Sequence, residues 1–523
     1  MIYSSPLPDV EIPDLPLTAY VLAGAAGQPD KPALIDGVSG QTLTYADLGR
    51  AVRSLAGGLA ASGFAKGEVL ALMAPNMPEY AVVFHAVAMA GGIVTTINPT
   101  YAEAEVHGQL RDSGARILVT IPPLAPAASR AAAGTQVEEV YVFGEAPGAR
   151  PLASLYAAPL AGQVPVGPGD VVALPYSSGT VGLSKGVMLT HRNLVANIAQ
   201  TLAMAQIMPE ESLVAVLPFF HIYGMQVLMN SCLRAGATIV TLPRFDLEQF
   251  LRVHQDYRIT RSFVAPPIVV ALAKHPLVDK FDLSALTQVL SGAAPLKADL
   301  AADCGRRLGC EVVQGYGMTE LSPVSHCTPR GGFKPGSVGV TAPNTQTRIV
   351  DPVRETDLGT GEDGEIYVWG PQVMKGYLNN PQATAATIDP DGWLHTGDLG
   401  HIDADGHLYV TDRLKELIKY KGFQVPPAEL EAVLLRHPEV TDAAVIGLPD
   451  EEAGEIPVGY VTLRPDASSS PAEIVRFVAS QVAGYKQIRR LEVIDAIPKS
   501  PSGKILRRIL RDAAAAQADP PAG

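Results

Sequence analysis

Residues 171–204 read VVALPYSSGTVGLSKGVMLTHRNLVANIAQTLAM. An apolar run (171–174) leads into a glycine- and hydroxyl-rich loop from Tyr176 to Val187, and a helical pattern (192–204) follows. Strand, turn and helix in that order form the repeating unit of an α/β protein, whose ligands sit beyond strand C-termini. Glycines let backbone N–H groups approach an anion, the hydroxyls of Ser177, Ser178 and Thr180 add donors, and Lys185 adds charge. Polyphosphate suits that chemistry. A Walker A loop does not fit, because Ser184 precedes the lysine where Gly belongs and Gly186 follows where Ser or Thr belongs. An ordinary flexible turn has the same composition, so other segments must decide.

Working outward, apolar runs at 68–73, 116–120, 213–217 and 237–242 alternate with helical patterns such as 78–90. This predicts helix-covered parallel sheets up to about residue 400. After Trp393 the stretch 392–427, GWLHTGDLGHIDADGHLYVTDRLKELIKYKGFQVPP, reads as short strands joined by Gly and Asp turns. A large α/β domain over 1–412 and a small, mobile α+β domain over 413–523 are expected. In the small domain Pro427 opens a helix with Leu430, Val433 and Leu434 on one face, and strands follow at 442–446 and 458–463. The first residues read as an extended arm, and the Ala- and Pro-rich tail 513–523 as frayed.

At 523 residues the chain exceeds what one core supports, and 47% hydrophobic with 18% charged residues marks a globular protein. A net charge of -13 opposes nucleic-acid binding. Cysteines at 232, 304, 310 and 327 fit neither a disulfide framework nor a four-ligand zinc site, which points to the cytoplasm. No basic region precedes an apolar core at the N-terminus, so no secretory signal is expected. The longest apolar stretch, 81–97, is broken by His85 and Gly91–Gly92 and is too short for membrane insertion. Oligomeric state stays open.

Three further segments carry chemistry. In Gln314-Gly-Tyr-Gly-Met-Thr-Glu320 the glycines admit close approach, Thr319 can donate to phosphate, and Glu320 can hold Mg2+ by one oxygen; a structural turn reads equally well. His395-Thr-Gly-Asp398 and Asp412-Arg413 offer a carboxylate for ribose hydroxyls and a guanidinium beside it, or else a surface salt bridge. Ser500-Pro-Ser-Gly-Lys504 precedes a helix at 505–511 on which Arg507, Arg508 and Arg511 recur at helical spacing, ordinarily a solvated basic face.

Together with LPFFHIYG (217–224), SGAAPL (291–296) and PKSPSGKILRR (498–508), these segments resemble the adenylate-forming acyl-CoA synthetase superfamily, most closely its 4-coumarate:CoA ligase branch. The resemblance spans nearly the whole chain in order. It implies an ATP-dependent ligase that makes an acyl-adenylate and then an acyl-CoA, with ATP, Mg2+ and coenzyme A as the molecules it uses besides a carboxylic acid. By the same resemblance, Ser177, Ser178, Gly179, Thr180, Val181 and Lys185 form the phosphate loop, and Thr319 contacts the α-phosphate. Glu320 holds the metal; Ala293, Gln314, Gly315 and Tyr316 surround adenine; Asp398 and Arg413 bind ribose.

Lys504 is the implied catalytic cation, Lys415 the hinge, and Lys419 and Gln424 the adenylate contacts after rotation. Arg244, Lys421 and Gly422 face CoA, and His221 stands beside the acyl site, where a packed core histidine is the bland alternative. Tyr223, Val227, Leu290, Ala293, Gly315, Gly317, Pro323 and Val324 line the acyl pocket, its glycines leaving a flat slot and the Tyr223 hydroxyl meeting a ring substituent. Val227, Leu290 and Ser325 depart from the commonest plant pattern. A phenylpropanoid acid such as 4-coumarate is favoured; medium-chain fatty acids, carrier-protein loading and a non-catalytic nucleotide-binding protein are the alternatives.

Two departures fall in the opening loop. Val181 stands where this family usually has Thr, and Ser184 where it usually has Pro. Valine keeps the β-branched shape but lacks a hydroxyl, removing a phosphate hydrogen bond of about 0.5–1.5 kcal/mol. Val181→Thr is expected to lower the apparent Kd for ATP by up to about tenfold in a binding titration; an unchanged Kd would make that hydroxyl dispensable.

Overall fold

Among strand-forming runs, Val69–Met73 is buried on both faces and pairs in parallel with Ile93–Thr96 on one side and Ile117–Thr120 on the other. That is the pattern expected of a central parallel strand. They sit at the middle of an eight-stranded sheet that ends, on one edge, with Val171–Ser177, Lys185–Thr190 and Gly376–Tyr377. A nine-stranded sheet carries the parallel strands Thr238–Thr241, Ser212–Ala215, Arg261–Val264, Gln288–Ser291 and Glu311–Gly317, then the antiparallel Val324–Cys327. This computed structural model describes all residues except 26, 178–183, 415, 422, 451–452, 501–502 and 519–523.

Helices Pro78–Met89 and His191–Ala205 pack between the two sheets. One apolar core joins Tyr80, Phe84, Leu194 and Ile198 to Val94 and Val172 of the first sheet and to Phe263, Leu290 and Val313 of the second. The expected buried helix and strand at 81–97 are Pro78–Met89 and Ile93–Thr96. No described helix is long and apolar enough to cross a membrane. The N-terminal arm pairs its strand Ile2–Ser4 with Gln346–Val350, at the edge of a five-stranded sheet that includes Leu394–Ile402 and Leu408–Arg413.

Beyond residue 416 a separate core forms. Leu430, Val433 and Leu434 of helix Pro427–Leu434 pack on Val445, Val461, Ile474 and Leu491. The hairpin Val440–Asp450 with Gly454–Leu463 is longer than the pattern predicts, because Leu448, Pro449 and Asp450 continue the pairing with Ile456, Glu455 and Gly454. The last helix also differs: it runs Arg507–Ala518, starting two residues later because Ile505 bridges Lys499. It reaches Ala518, inside the tail 513–523 expected to fray, and buries Ala514; the remainder of that tail lies outside the described residues.

The reading of a solvated basic face fails at Arg507. Its guanidinium is buried between two buried carboxylates, donating to Glu416, to Glu431 Oε1 at 2.6 Å and to the Val445 carbonyl at 3.1 Å. Helical spacing alone cannot reveal that the carboxylates of distant segments converge on one of three arginines.

Two glycines of helix Tyr45–Ala61 differ in what surrounds them. A Cβ on Gly58 would lie 1.4 Å from the Leu155 carbonyl oxygen, whereas one on Gly49 meets nothing closer than Arg53 Nη1 at 3.5 Å. Gly58→Ala is expected to destabilise by at least about 1–3 kcal/mol in a thermal or urea melt, and Gly49→Ala to be neutral or to stabilise by about 0.5–1 kcal/mol. Equal effects would contradict that packing.

Candidate active site

Val171–Ser177 and Lys185–Thr190 are antiparallel partners, with Ser177 opposite Lys185 and Tyr176 opposite Gly186. Tyr176, Ser177 and Lys185 are therefore strand residues, where the sequence pattern reads a loop. The expected phosphate-loop residues Ser178, Gly179, Thr180 and Val181 lie outside the described residues. Tyr176 packs against Gly186, and its hydroxyl donates to Asp112 Oδ2 at 2.6 Å.

Strand Glu311–Gly317 likewise extends through Gln314, Gly315 and Tyr316, because Gly315 and Tyr316 pair with Cys327 and His326. The short turn Thr319–Leu321 follows. Glu320 is 5% exposed, and its Oε1 accepts a hydrogen bond from the Tyr377 hydroxyl at 2.8 Å. Its Oε2 accepts none among the described residues. A buried carboxylate with one oxygen committed fits a Mg2+ ion held by a single protein ligand and completed by phosphate and water oxygens. No cluster of three His, Cys, Asp or Glu among the described residues offers a protein-only metal site.

Asp398 and Arg413 are cross-strand partners joined by an Nε–Oδ1 ion pair of 3.0 Å, and the Tyr316 hydroxyl donates to Asp398 Oδ2 at 2.7 Å. Asp398 is buried, so this is not a surface salt bridge. Gln314 is buried and accepts the Leu296 N–H through Oε1, shaping the segment where Ala293 adopts a φ of 71°. That left-handed conformation is unusual for a residue with a side chain.

The loop carrying Lys504 comes from the small domain and seats on the large one. A Cβ on Gly503 would stand 3.1 Å from Pro267 and 3.3 Å from Ala265, just past the strand Arg261–Val264. Lys504 closes its own tight turn, Ser500 N–H donating to its carbonyl at 2.8 Å. Burial and then the Arg413 charge pull its ammonium down to about 8, against Glu416, Asp398 and Glu320, which hold it up. His221 is pulled down to about 4 by burial and then by Lys504. Its Nδ1 accepts the Tyr223 N–H at 3.3 Å, so the neutral ring carries its proton on Nε2.

Lys504, His221, Arg413, Asp398 and Glu320 thus gather within electrostatic reach of one another. Lys419 and Lys421 do not join them: both are exposed on the hairpin Ile418–Tyr420 with Phe423–Val425, where Lys419 is the register partner of Gln424. Lys415 and Gly422 lie outside the described residues. Arg244 is exposed on an open groove of about 670 Å3 shared with Ser39, Gln249 and Arg252.

Around the expected acyl pocket, Tyr223, Val227 and Leu290 are buried in one core. The Tyr223 hydroxyl donates to the Leu290 carbonyl at 3.3 Å, so its proton is committed and only its lone pairs remain for a ligand. Gly317 is confined by its own turn. A Cβ there would come 2.0 Å from the Pro323 carbonyl oxygen, so glycine is required by the turn itself. At Gly315 a Cβ would make ordinary contacts, 3.4 Å to the His326 carbonyl and 3.7 Å to Leu290. Asn197, which no motif marks, clamps Val324 by accepting its N–H at 3.2 Å and donating to its carbonyl at 2.7 Å. Tyr377 also escaped sequence reasoning; its only signal is the aromatic in GYLNNP (376–381).

Two family models match, AMP-binding enzyme over residues 22–378 and AMP-binding enzyme C-terminal domain over residues 429–504. The chain belongs to the AMP-binding enzyme family. It is 44% identical to the 4-coumarate–CoA ligase 3 of Oryza sativa subsp. japonica, covering 98% of this chain and 94% of the relative. Among solved structures, ATP-bound MatB from Rhodopseudomonas palustris aligns with a TM-score of 0.90 at 29% identity over 97% of this chain and 100% of that one. The apo form of MatB aligns at 0.77, also at 29% identity over 97% and 100%.

A lysine at about 8 is protonated below that pH and neutral above it. With lysines reductively 13C-methylated, the Lys504 resonance is expected to titrate near pH 8 and to move upward when ATP adds negative charge. Titration above pH 10 with no response to ATP would contradict its placement.

Proposed function

We propose that this chain activates an aromatic carboxylic acid, 4-coumarate or a related phenylpropanoid acid, as an acyl-adenylate and transfers the acyl group to coenzyme A. The observation that carries it is the arrival of Lys504, from one domain, at Arg413, Asp398 and Glu320. The better match to ATP-bound than to apo MatB supports the same arrangement. The 4-coumarate–CoA ligases at over 40% identity support the acid and the thiol. Buried Tyr223, Val227 and Leu290 with small Gly315 suit a planar apolar acyl group.

In this reading the acid's carboxylate attacks the α-phosphate of ATP. Lys504 bridges the two anions and offsets the charge that builds as the bond to pyrophosphate breaks. Lys185, with the loop of Ser177, Ser178, Gly179, Thr180 and Val181, holds the departing phosphates, and Thr319 the α-phosphate. Asp398 and Arg413 hold ribose, and Ala293, Gln314, Gly315 and Tyr316 flank adenine. A Mg2+ ion at Glu320 would supply charge neutralisation on the phosphates. Neutral His221 borders the acyl group without adding a second cation.

The domain boundary lies at 412/413, and the small domain turns about Lys415. That exchange withdraws Lys504, brings Lys419 and Gln424 to the adenylate, and presents Lys421, Gly422 and Arg244 to CoA. The thiol sulfur then attacks the acyl carbon and AMP leaves. The cytoplasm, where CoA and reduced thiols are plentiful, suits the four free cysteines.

Pyrophosphate release is measured over 4-coumarate, cinnamate, benzoate and octanoate, with and without CoA. Release with the aromatic acids is expected; none with any acid would refute the reading, and thioester formed from octanoate alone would move it to fatty acids. Lys504→Ala is expected to cut pyrophosphate release at least about a hundredfold while thiolysis of supplied acyl-adenylate stays within a few-fold. Equal loss of both steps would contradict its role.

A further inference from the structure

One side chain touches both ends of the proposed phosphate site without belonging to any motif. Tyr377 is 7% exposed, at the edge of the eight-stranded sheet. Its hydroxyl donates to Glu320 Oε1 at 2.8 Å, and the Lys185 ammonium stands 4.7 Å from the centre of its ring. Its backbone is held to the strand that carries Lys185. Val187 pairs with Tyr377, Leu378 N–H donates to the Gly186 carbonyl at 2.8 Å, and Lys375 N–H to the Met188 carbonyl at 3.0 Å. On the Glu320 side, Met374 N–H donates to the Glu320 carbonyl at 2.9 Å, tying the same segment to the turn Thr319–Leu321.

We propose that Tyr377 is a positioning residue that sets the distance and orientation between the Glu320 carboxylate and the Lys185 ammonium, so that a metal–triphosphate complex meets both at once. This rests on the adenylation reading above. The hydroxyl occupies Oε1 and leaves Oε2 for a cation, and a hydrogen bond to a carboxylate restricts its rotation. The ring face attracts the ammonium and holds it near the β- and γ-phosphates. A single aromatic thus couples a group on a strand to one on a turn, and its hydroxyl and its ring are separable by mutation.

Tyr377→Phe removes the hydroxyl and keeps the ring; Tyr377→Leu removes both. Three quantities are measured: the Mg2+ concentration for half-maximal pyrophosphate release, the Kd of Mn2+ by electron paramagnetic resonance in the presence of a non-reactive α,β-methylene ATP analogue, and the Kd of that analogue without metal. For Tyr377→Phe the first two are expected to rise about tenfold while the third, the KM for the acid and thiolysis of supplied acyl-adenylate stay within twofold. For Tyr377→Leu the metal-free analogue Kd rises as well, severalfold, matching Lys185→Met. If Tyr377→Leu fails to fold, Tyr377→Phe alone decides.

Unchanged Mg2+ and Mn2+ constants in a normally melting Tyr377→Phe protein would overturn the proposal. So would a uniform loss in every constant together with a lowered melting temperature. Absence of acid-dependent pyrophosphate release by the unmutated protein would instead overturn the adenylation reading beneath it.

Discussion

The ion pair of Arg413 with Asp398 stands where the large sheets end and the small domain begins, and it decides which charges can gather there. Asp398 spends one oxygen on Arg413 and the other on Tyr316. A second cation arriving at this point is therefore repelled as well as dehydrated, which is why Lys504 is drawn down to about 8. Buried charges without close partners cost several kcal/mol each. Glu416 and Glu320 offset part of that cost. A ligand bearing phosphates would offset more, so the arrangement with Lys504 inside is one that such a ligand favours and its departure releases.

What carries Lys504 there is a rigid piece of the small domain. Arg507, three residues on, binds Glu416 beside the expected hinge, Glu431 on the helix Pro427–Leu434, and the strand Val440–Asp450 at Val445. Removing the guanidinium would leave two buried carboxylates facing each other, so Arg507 ties its own helix to Glu416 and to the helix Pro427–Leu434. The hydrogen bonds that cross the join include Asp412 accepting the Ala428 N–H at 3.3 Å and Lys297 donating to the Ala432 carbonyl. Polar links of this kind exchange with water at little net cost. The rotation proposed for the small domain would cost less at such a join than at an apolar one.

The α/β layering, the buried helix at 78–89 and the small α+β domain were legible because period and composition report burial directly. So were Glu320, Asp398, Arg413 and Lys504, since each sits in a dense run of glycines and charges whose order along the chain is distinctive. What escaped were contacts between segments far apart in sequence. Arg507 read as part of a solvated basic face, and nothing in the sequence singled out Asn197 or Tyr377. At Gly317 the neighbouring carbonyl that forbids a side chain is visible only when the chain has turned back on itself.

The account stands or falls on which bond the carboxylate oxygen forms. The most direct measurement uses an accepted acid labelled with 18O in its carboxylate, turned over with ATP and CoA, with mass analysis of the nucleotide and of phosphate. One 18O atom in AMP is expected, because the oxygen that attacks the α-phosphate leaves with it when the thioester forms. Label in inorganic phosphate alongside ADP, or no label in AMP, would contradict the acyl-adenylate and with it the reading of this site.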